Sequence, residues 1–180
     1  PVEADDQPGE RYHDEDGLGS DFLLAATLMR RLAANDLESA RHEVAHWPAA
    51  EPLIFDKLRL VAITHQAIFE SSEVTAQLDK VSDESFWGQA LERELLHCLR
   101  SRWPTLAPPD RASIEARVMA GPQDDTRSPD HLRRDAGIRL AWLQLQSLVL
   151  SADAESFLAD CRTMSEWKEE WVRSADVGLG

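Results

Sequence analysis

The residues in this sequence that most directly suggest chemistry are two histidines and a glutamate, in the order His42-Glu43-Val44-Ala45-His46. On a helix, His42 and His46 lie one turn apart on the same face, so their imidazoles can bind one Zn²⁺ ion together. Glu43 would then activate a water molecule bound to that metal. The pattern gives one hypothesis for the chain, a zinc-dependent metallohydrolase with zinc as its cofactor.

The residues around this pattern favour a different interpretation. Pro48 ends the helix two residues after His46, and the Gly-x-x-His continuation of the metzincins is missing. A third ligand would come from a later helix, where Glu70, Glu73 or His65 lies at a tolerable distance without a recognisable context. Zinc peptidases of this type hold substrates by strand addition, and no strand pattern is evident in the sequence. Exposed histidines on a short amphipathic helix, with no cofactor, are the interpretation we favour.

Two other groups of residues suggest binding rather than catalysis. Trp167 and Trp171 lie one helical turn apart near the end of the sequence, and we expect them to form an exposed apolar ridge. Such a ridge would contact a protein partner or a neighbouring domain. The second group is a local basic cluster, which would bind an acidic partner or the chain's own acidic residues, or would form a solvated face. Its members are Arg127, His131, Arg133, Arg134 and Arg139.

The elements that position these residues are predicted to be helices. Leu and Ala outnumber Val and Ile, glycine is rare after residue 19, and no alternating run of β-branched residues occurs. Start signals stand at Ser20, Asp36, Ser82 or Asp83, Ser128, and Ser151 or Asp153, while Gly121-Pro122 is a stop signal. From Leu140 to Leu150 the sequence is apolar on nearly all sides, so this segment should be the most deeply buried. The pattern predicts an all-α fold.

The spacing of these signals predicts about eight helices, paired in antiparallel hairpins that begin near residues 20, 51, 83 and 129. Offsets of this size are typical of helix-hairpin repeats, and a HEAT-like solenoid segment is the architecture that we expect. No residue pattern recurs strictly along the chain. A compact helical bundle is therefore the alternative.

Two passages carry a resemblance to a known class. They are Pro52-Leu-Ile-Phe-Asp-Lys-Leu-Arg-Leu, and Glu94-Leu-Leu-His followed by Ile114-Glu-Ala-Arg-Val-Met-Ala-Gly-Pro. Together they resemble the degenerate HEAT-like repeats of large multidomain bacterial proteins, some of which join such repeats to NTPase or sirtuin-like effector domains in antiphage defence. The resemblance covers residues 50–122. It implies a scaffold or sensor region and carries over no catalytic residues.

Charge and composition limit the classes of partner. The chain has 180 residues, with 19 Lys and Arg against 33 Asp and Glu, which gives a formal net charge of −14 at pH 7. Such an acidic surface repels phosphate backbones, so we expect no direct binding of nucleic acid. Residues 1–19 are rich in acids and poor in apolar residues, and they are predicted to be a flexible acidic arm or linker. Residues 20–175 are predicted to form a single α-helical domain.

The sequence also indicates a compartment. No basic-then-apolar leader is evident, and the longest uncharged stretch, Leu140–Ala152, is too short to cross a bilayer. Cys98 and Cys161 both lie in helical patterns and are predicted to be reduced core thiols of a cytoplasmic protein. These observations favour a non-enzymatic α-helical protein-interaction or scaffold module in the cytosol. The resemblance implies that it is part of a larger bacterial protein, with a role in defence as one implication. The zinc hydrolase remains the alternative, and the oligomeric state is left open.

Overall fold

The computed structural model describes residues 18–48, 52–124 and 126–175, and every regular element in these ranges is helical. The all-α prediction is therefore confirmed for the described residues. Short 3₁₀ turns cover Ser71–Glu73 and Trp103–Thr105. The α-helices are α1 (Leu18–Asn35), α2 (Leu37–Ala45), α3 (Pro52–Thr64), α4 (Val74–Leu78), α5 (Asp83–Trp87), α6 (Gln89–Arg102), α7 (Pro108–Ala120), α8 (Pro129–Leu145), α9 (Ala152–Arg162) and α10 (Glu169–Ser174).

Four of the ten described α-helices begin at a capping residue that the sequence predicts. The side chains of Asp36, Ser82, Ser128 and Ser151 each accept a hydrogen bond from the backbone N–H three residues later, which satisfies an otherwise unpaired donor of the first turn. Gly121 follows α7 with a φ of 72°, a positive value that favours glycine. The start of α1 at Leu18 lies two residues before the predicted one. The rest of the predicted acidic arm, residues 1–17, lies outside the described residues.

Two of the predicted helices are each divided in two. The helix predicted to start at Ser82 or Asp83 is interrupted at Gly88, whose backbone is extended, and this gives α5 and α6. A Cβ atom at this position would lie 2.7 Å from the carbonyl oxygen of Glu84, so the close turn requires glycine. The helix predicted to start at Ser151 or Asp153 is divided into α9 and α10. The described residues consequently contain ten α-helices instead of about eight.

Helix α8 ends at Leu145, five residues before the end of the apolar run that predicted it. Ser147 has a φ of 63°, and the Leu148 N–H donates to the carbonyl of Leu143 while the Ser147 N–H donates to that of Gln144. This is the hydrogen-bond pattern of a Schellman motif, with serine in the place that glycine usually occupies. The chain therefore leaves the helix at a residue that gives no strong stop signal.

The helices pack in a consistent order. Helix α3 lies between α1 and α6, and α6 also packs against α8. On the other side of the core, α7 contacts α4, α8 and α9, while α10 lies against α8. The main core joins these layers and includes the buried side chains of Phe86, Trp103, Trp142 and Leu143. A smaller apolar cluster between α1 and α3 contains Phe22, Ala26, Leu58 and Val61.

Buried charged side chains connect helices that lie far apart in the sequence. The Asp56 carboxylate accepts hydrogen bonds from Arg59 at 2.8 Å and from the hydroxyl of Ser82, the capping residue of α5, at 3.0 Å. Glu94 of α6 is 1% exposed and pairs with Lys57 of α3 at 3.5 Å. These polar contacts fix how the helices are oriented as well as which helices pack together.

Helices α8 and α9 approach each other closely at Gly137. A Cβ atom added there would lie 2.8 Å from the Cβ and 2.9 Å from the sulfur of Cys161, both below normal contact distances. Cys161 and Cys98 are free and buried, which confirms their assignment as core thiols. Burial raises the pKa of the Cys98 thiol to about 12 and also raises the pKa of Cys161. Neither thiol is poised for nucleophilic chemistry.

No helix in the described ranges is both long enough and apolar enough to cross a membrane.

Candidate functional site

The His42, Glu43 and His46 side chains all lie exposed along α2 and its end. The two imidazole rings stack, with their centroids 4.1 Å apart and their planes inclined by 44°. The Nδ1 atom of His46 lies 2.7 Å from the carbonyl oxygen of His42. A carbonyl can only accept, so Nδ1 donates, and in the neutral ring the lone pair is then on Nε2. This is the tautomer in which metal-ligating histidines are commonly held.

The residues considered as a third metal ligand are not brought to this pair. Glu73 accepts the backbone N–H of Glu70 at 2.8 Å and lies 3.6 Å from Arg41. His65 follows the end of α3, where burial and the positive charge of Arg30 lower its pKa. In the described parts of the chain, no three His, Cys, Asp or Glu side chains are arranged to hold a metal ion.

An apolar groove of about 630 Å³ lies between α1, α2 and α3. Glu43 of the histidine motif lies on its wall, together with Arg31 and Asn35. The rings of Trp47 and Phe55 form one side as a tilted pair with centroids 6.4 Å apart. We refer to this feature as the apolar groove; its main apolar residues are Leu28, Met29, Leu32, Trp47, Phe55 and Leu58.

The apolar groove is accompanied by unusually exposed aliphatic side chains. Leu28 is 53% exposed, and Leu24, one turn earlier on α1, is 57% exposed. Leu53 and Ile54 at the beginning of α3 are exposed as well. Both leucines lie outside the buried face of α1, which carries Phe22, Ala26 and Met29. Leucines outside the core-facing stripe of a helix are the sequence signal for such a surface.

A second cavity of about 500 Å³ is lined by α5, α6, α8 and α10 and has a different chemistry. Three arginines line it, at positions 127, 134 and 139, together with the carboxylates of Glu92 and Asp135 and the rings of Trp87 and Trp171. We refer to it as the arginine pocket. Arg139 is only 2% exposed, although it belongs to the basic cluster for which a solvated face was one interpretation. That interpretation is wrong for Arg139.

Two of the pocket's guanidinium groups stack on tryptophan rings. The Cζ atom of Arg139 lies 4.2 Å from the ring centroid of Trp87, and that of Arg134 lies 4.8 Å from the centroid of Trp171. Both distances are within the range of cation–π contacts. Arg139 also donates from Nη1 to the backbone carbonyl of Phe86, which lies at the end of α5. The two stacks fix the positions of the guanidinium groups.

The carboxylates of the arginine pocket are shared among the arginines. Asp135 lies 2.5 Å from Arg127 Nη2 and 3.4 Å from Arg134 Nη2. Glu92 Oε1 lies 3.4 Å from Arg139 Nε. Burial raises the pKa of the Glu92 carboxyl, and this effect outweighs the opposing charge of Arg139. The lining of the pocket therefore contains three guanidinium groups and two carboxylates.

The predicted interaction residues are distributed differently from the expected ridge and cluster. Trp167 is half-buried, packs beside Gly137 and donates to Glu169 at 3.1 Å, while Trp171 belongs to the arginine pocket. The expectation of one exposed tryptophan ridge is therefore wrong. Arg133 points away from the pocket-lining set and pairs with Asp160 at 3.2 Å. The structure thus separates Arg133 from Arg134, and a binding role for these residues remains a prediction.

No protein-family model matches this chain, and no curated protein or solved structure matches it. The HEAT-like resemblance accordingly remains a prediction made from the sequence. The assignment of functional surfaces depends on the geometry of the apolar groove and the arginine pocket.

Proposed function

We propose that this chain is a non-enzymatic α-helical interaction module that binds an amphipathic helix of a protein partner in its apolar groove. The observation that carries this proposal is the exposure of Leu24 and Leu28 beside a groove lined mainly by apolar side chains. Contiguous apolar surface of this kind is unusual on a monomer and is typical of protein-binding surfaces. A groove between helices accommodates the apolar face of a further helix.

The composition of the groove supports a protein ligand. Trp47 and Phe55 provide rigid aromatic area, which is enriched at the energetically important centres of interfaces. Met29 adds an adaptable side chain that can fit more than one apolar partner. Leucine side chains spaced by three or four residues on a partner helix would occupy this groove.

The charge of the chain favours a basic partner. With a net charge of −14, the surface attracts a helix that carries Lys or Arg on its polar face. Such attraction accelerates the encounter and weakens as salt is added. The apolar contacts would then determine how long the complex persists.

We also propose the finer architecture predicted from the sequence, a HEAT-like stack within a larger cytosolic bacterial protein. The packing order supports this proposal, because α1, α3, α6 and α8 are successive neighbours and α4, α7 and α9 form a second succession. Two parallel successions of this kind are typical of stacked hairpins rather than of a closed bundle. A scaffold of this type exposes helix surfaces to partners along its length.

The groove can be tested with a synthetic amphipathic peptide in which leucines recur every third or fourth residue and lysines fill the other positions. Titration is followed by calorimetry and by tryptophan fluorescence, with Trp47→Phe used to identify the reporter ring. A control peptide has the same composition in scrambled order, so that it retains the charge but loses the apolar face. We expect saturable binding of the amphipathic peptide and weak, salt-sensitive binding of the control.

Two variants locate the binding surface. Leu28→Asp should abolish peptide binding, whereas Leu145→Asp, at a leucine of α8 that is equally exposed at 55%, should leave it unchanged. Equal binding of the two peptides, or equal loss in the two variants, would contradict the proposal. Sedimentation velocity measures whether the chain self-associates. Self-association that is abolished by Leu28→Asp would identify a second copy of the chain as the occupant of the groove, and it would overturn the partner-helix proposal.

A zinc-dependent metallohydrolase is the second candidate, and one observation favours metal binding. The hydrogen bond from His46 Nδ1 to His42 leaves Nε2 of His46 as the metal-binding nitrogen. Metal analysis after reconstitution with zinc tests this candidate, with His46→Ala as the control. Retention of one equivalent of zinc by the wild-type protein alone would support it, and absence of bound zinc from both proteins would contradict it.

A further inference from the structure

The arginine pocket concentrates positive charge in a strongly acidic chain. Its lining has three arginines against two carboxylates, Glu92 and Asp135, while the chain as a whole has a net charge of −14. A local surplus of positive charge in an otherwise acidic chain attracts a small anion. A large anionic polymer such as nucleic acid would meet the surrounding negative charge and be repelled. The charge distribution therefore favours a small ligand.

The arginines of the pocket have hydrogen-bonding capacity that the protein does not use. The Nε atoms of Arg134 and Arg139 are buried and make no hydrogen bond of normal geometry. The contacts of Arg134 with Asp135 and Glu166, both at 3.4 Å, are at the long end of the range for charged hydrogen bonds. The protein's own acceptors therefore satisfy these guanidinium groups only weakly, and an oxyanion in the pocket would offer them further acceptors.

The same arginines are already held in position. Arg139 is fixed by the ring of Trp87 and by the backbone carbonyl of Phe86, and Arg134 is fixed by the ring of Trp171. Binding an anion would therefore restrict few additional side-chain rotations, which removes a common cost of ligand binding. The pocket volume of about 500 Å³ lies within the range of small-molecule sites.

We propose that the arginine pocket binds a small organic anion whose carboxylate or phosphate group is held by Arg127, Arg134 and Arg139. The planar forks of guanidinium groups match both kinds of oxyanion. The rings of Trp87 and Trp171, with the side chain of Ile138, provide apolar surface for the body of the ligand. The pocket and the apolar groove share no lining residue, so this site is independent of the proposed protein-binding function.

Benzoate and phenyl phosphate are the probes, since they present a carboxylate and a phosphate on the same planar ring. Benzyl alcohol is the neutral control, and a poly-glutamate peptide tests whether the pocket prefers an acidic macromolecule. Binding is measured by calorimetry and by the shift in thermal midpoint of the full chain. We expect one-site binding of at least one anionic probe and none of benzyl alcohol, and the tighter anion identifies the head group.

Neighbouring arginines provide a matched pair of variants. Arg134→Gln should weaken binding of the anionic probe about tenfold, because a charge-assisted contact is lost. Arg133→Gln, one residue earlier and outside the pocket lining, should change it less than about twofold. Arg127→Gln provides a second test at a side chain that is 40% exposed, should Arg134→Gln fail to fold.

Several outcomes would contradict the proposal that the arginine pocket binds a small organic anion. They are the absence of saturable binding by both anions, equal binding of benzyl alcohol, binding of the poly-glutamate peptide alone, and equal weakening by Arg133→Gln and by the pocket variants. Loss of peptide binding at the apolar groove would leave this result unaffected, so the two proposals fail separately.

Discussion

The apolar groove and the arginine pocket differ in how their side chains relate to the core. In the groove, residues such as Leu28 stand largely in solvent and contribute little to the packing of α1. In the pocket, Arg139 is almost completely buried and joins α8 to the end of α5, 53 residues away in the sequence. Substitutions at exposed groove residues such as Leu28 should therefore change binding without changing stability, whereas substitution of the buried Arg139 in the pocket should change both.

The largest expected effect concerns the core that supports both regions. Leu143 of α8 is completely buried, and Leu143→Asp would place an unpaired charge there at a cost of several kcal/mol, enough to unfold the domain. Leu145→Asp, two residues later and exposed, should change the free energy of unfolding by less than about 0.5 kcal/mol. Thermal denaturation followed by circular dichroism checks both. Unchanged melting of Leu143→Asp would show that the core is assigned incorrectly.

Removal of the buried guanidinium should separate the pocket from the groove. Arg139→Met leaves Glu92 without its ion-pair partner and the Phe86 carbonyl without its donor, and we expect a loss of about 3 kcal/mol of unfolding free energy. Arg133→Met, at an exposed arginine of the same helix, should lose less than about 1 kcal/mol. Urea denaturation measures both values. A stability close to wild type in Arg139→Met would mean that the pocket is as loosely connected to the core as the groove is.

The close approach of α8 and α9 gives an expected effect of intermediate size. Alanine is intrinsically favoured over glycine in a helix by about 1 kcal/mol. At position 137, however, the new methyl group would overlap Cys161, so Gly137→Ala should destabilise the protein by about 2 kcal/mol. Cys161→Ala removes the sulfur from this contact, and the double variant should recover part of the loss in a double-mutant cycle. Simple additivity of the two substitutions would argue against the contact.

Titration of Glu92 provides a smaller, pH-dependent effect within the pocket. Burial raises the folded-state pKa of this carboxyl above its ordinary value of 4.5, so the folded protein binds its proton more tightly than the unfolded chain does. The wild-type protein should consequently gain stability relative to Glu92→Gln as the pH falls from neutral toward 4.5. Urea denaturation of both proteins at several pH values measures the difference. A difference that stays constant with pH, or that changes in the opposite direction, would contradict the assignment.

The smallest effect on stability is expected in the groove. Leu28→Ser exchanges an exposed leucine for a polar residue and should alter the free energy of unfolding by less than about 0.5 kcal/mol. The same variant should clearly weaken binding of the amphipathic peptide, because the apolar contact area is reduced. Chemical denaturation and peptide titration on one preparation give both quantities. A substantial loss of stability would place Leu28 in the core and remove the distinction between the two regions.

Local signals in the sequence predicted the all-α fold and most of the helix starts. The side chains of Ser128 and Ser151 accept hydrogen bonds from backbone N–H groups only three residues later. A helix start of this kind can therefore be predicted from a short segment of sequence. The end of α8 was not predicted because Ser147, and not a glycine, takes the left-handed conformation there. A glycine at this position would have indicated the end of the helix. Gly88 is a single glycine within the helix predicted to start at Ser82 or Asp83, and only the closeness of the Glu84 carbonyl shows why the chain turns there.

The candidate sites were less predictable because they depend on contacts between distant segments. The arginine pocket brings Glu92 of α6 to Arg139 of α8, and spacing along one helix gives no indication of this pair. Trp171 had been expected to stand in solvent, but Arg134 covers its ring. The apolar groove did leave a local signal in Leu24 and Leu28, which lie outside the core-facing stripe of α1.

The absence of a side chain at Gly137 also determines how Cys161 can respond to oxidants. Cys161 is completely buried, and its sulfur lies beside the space that a side chain at position 137 would occupy. Peroxide in solvent therefore has no access to this sulfur in the folded protein, and the raised pKa keeps the thiol protonated. We expect sulfenic acid to form only when α9 separates from α8. The rate of peroxide consumption at this cysteine would measure how often that end of the domain opens.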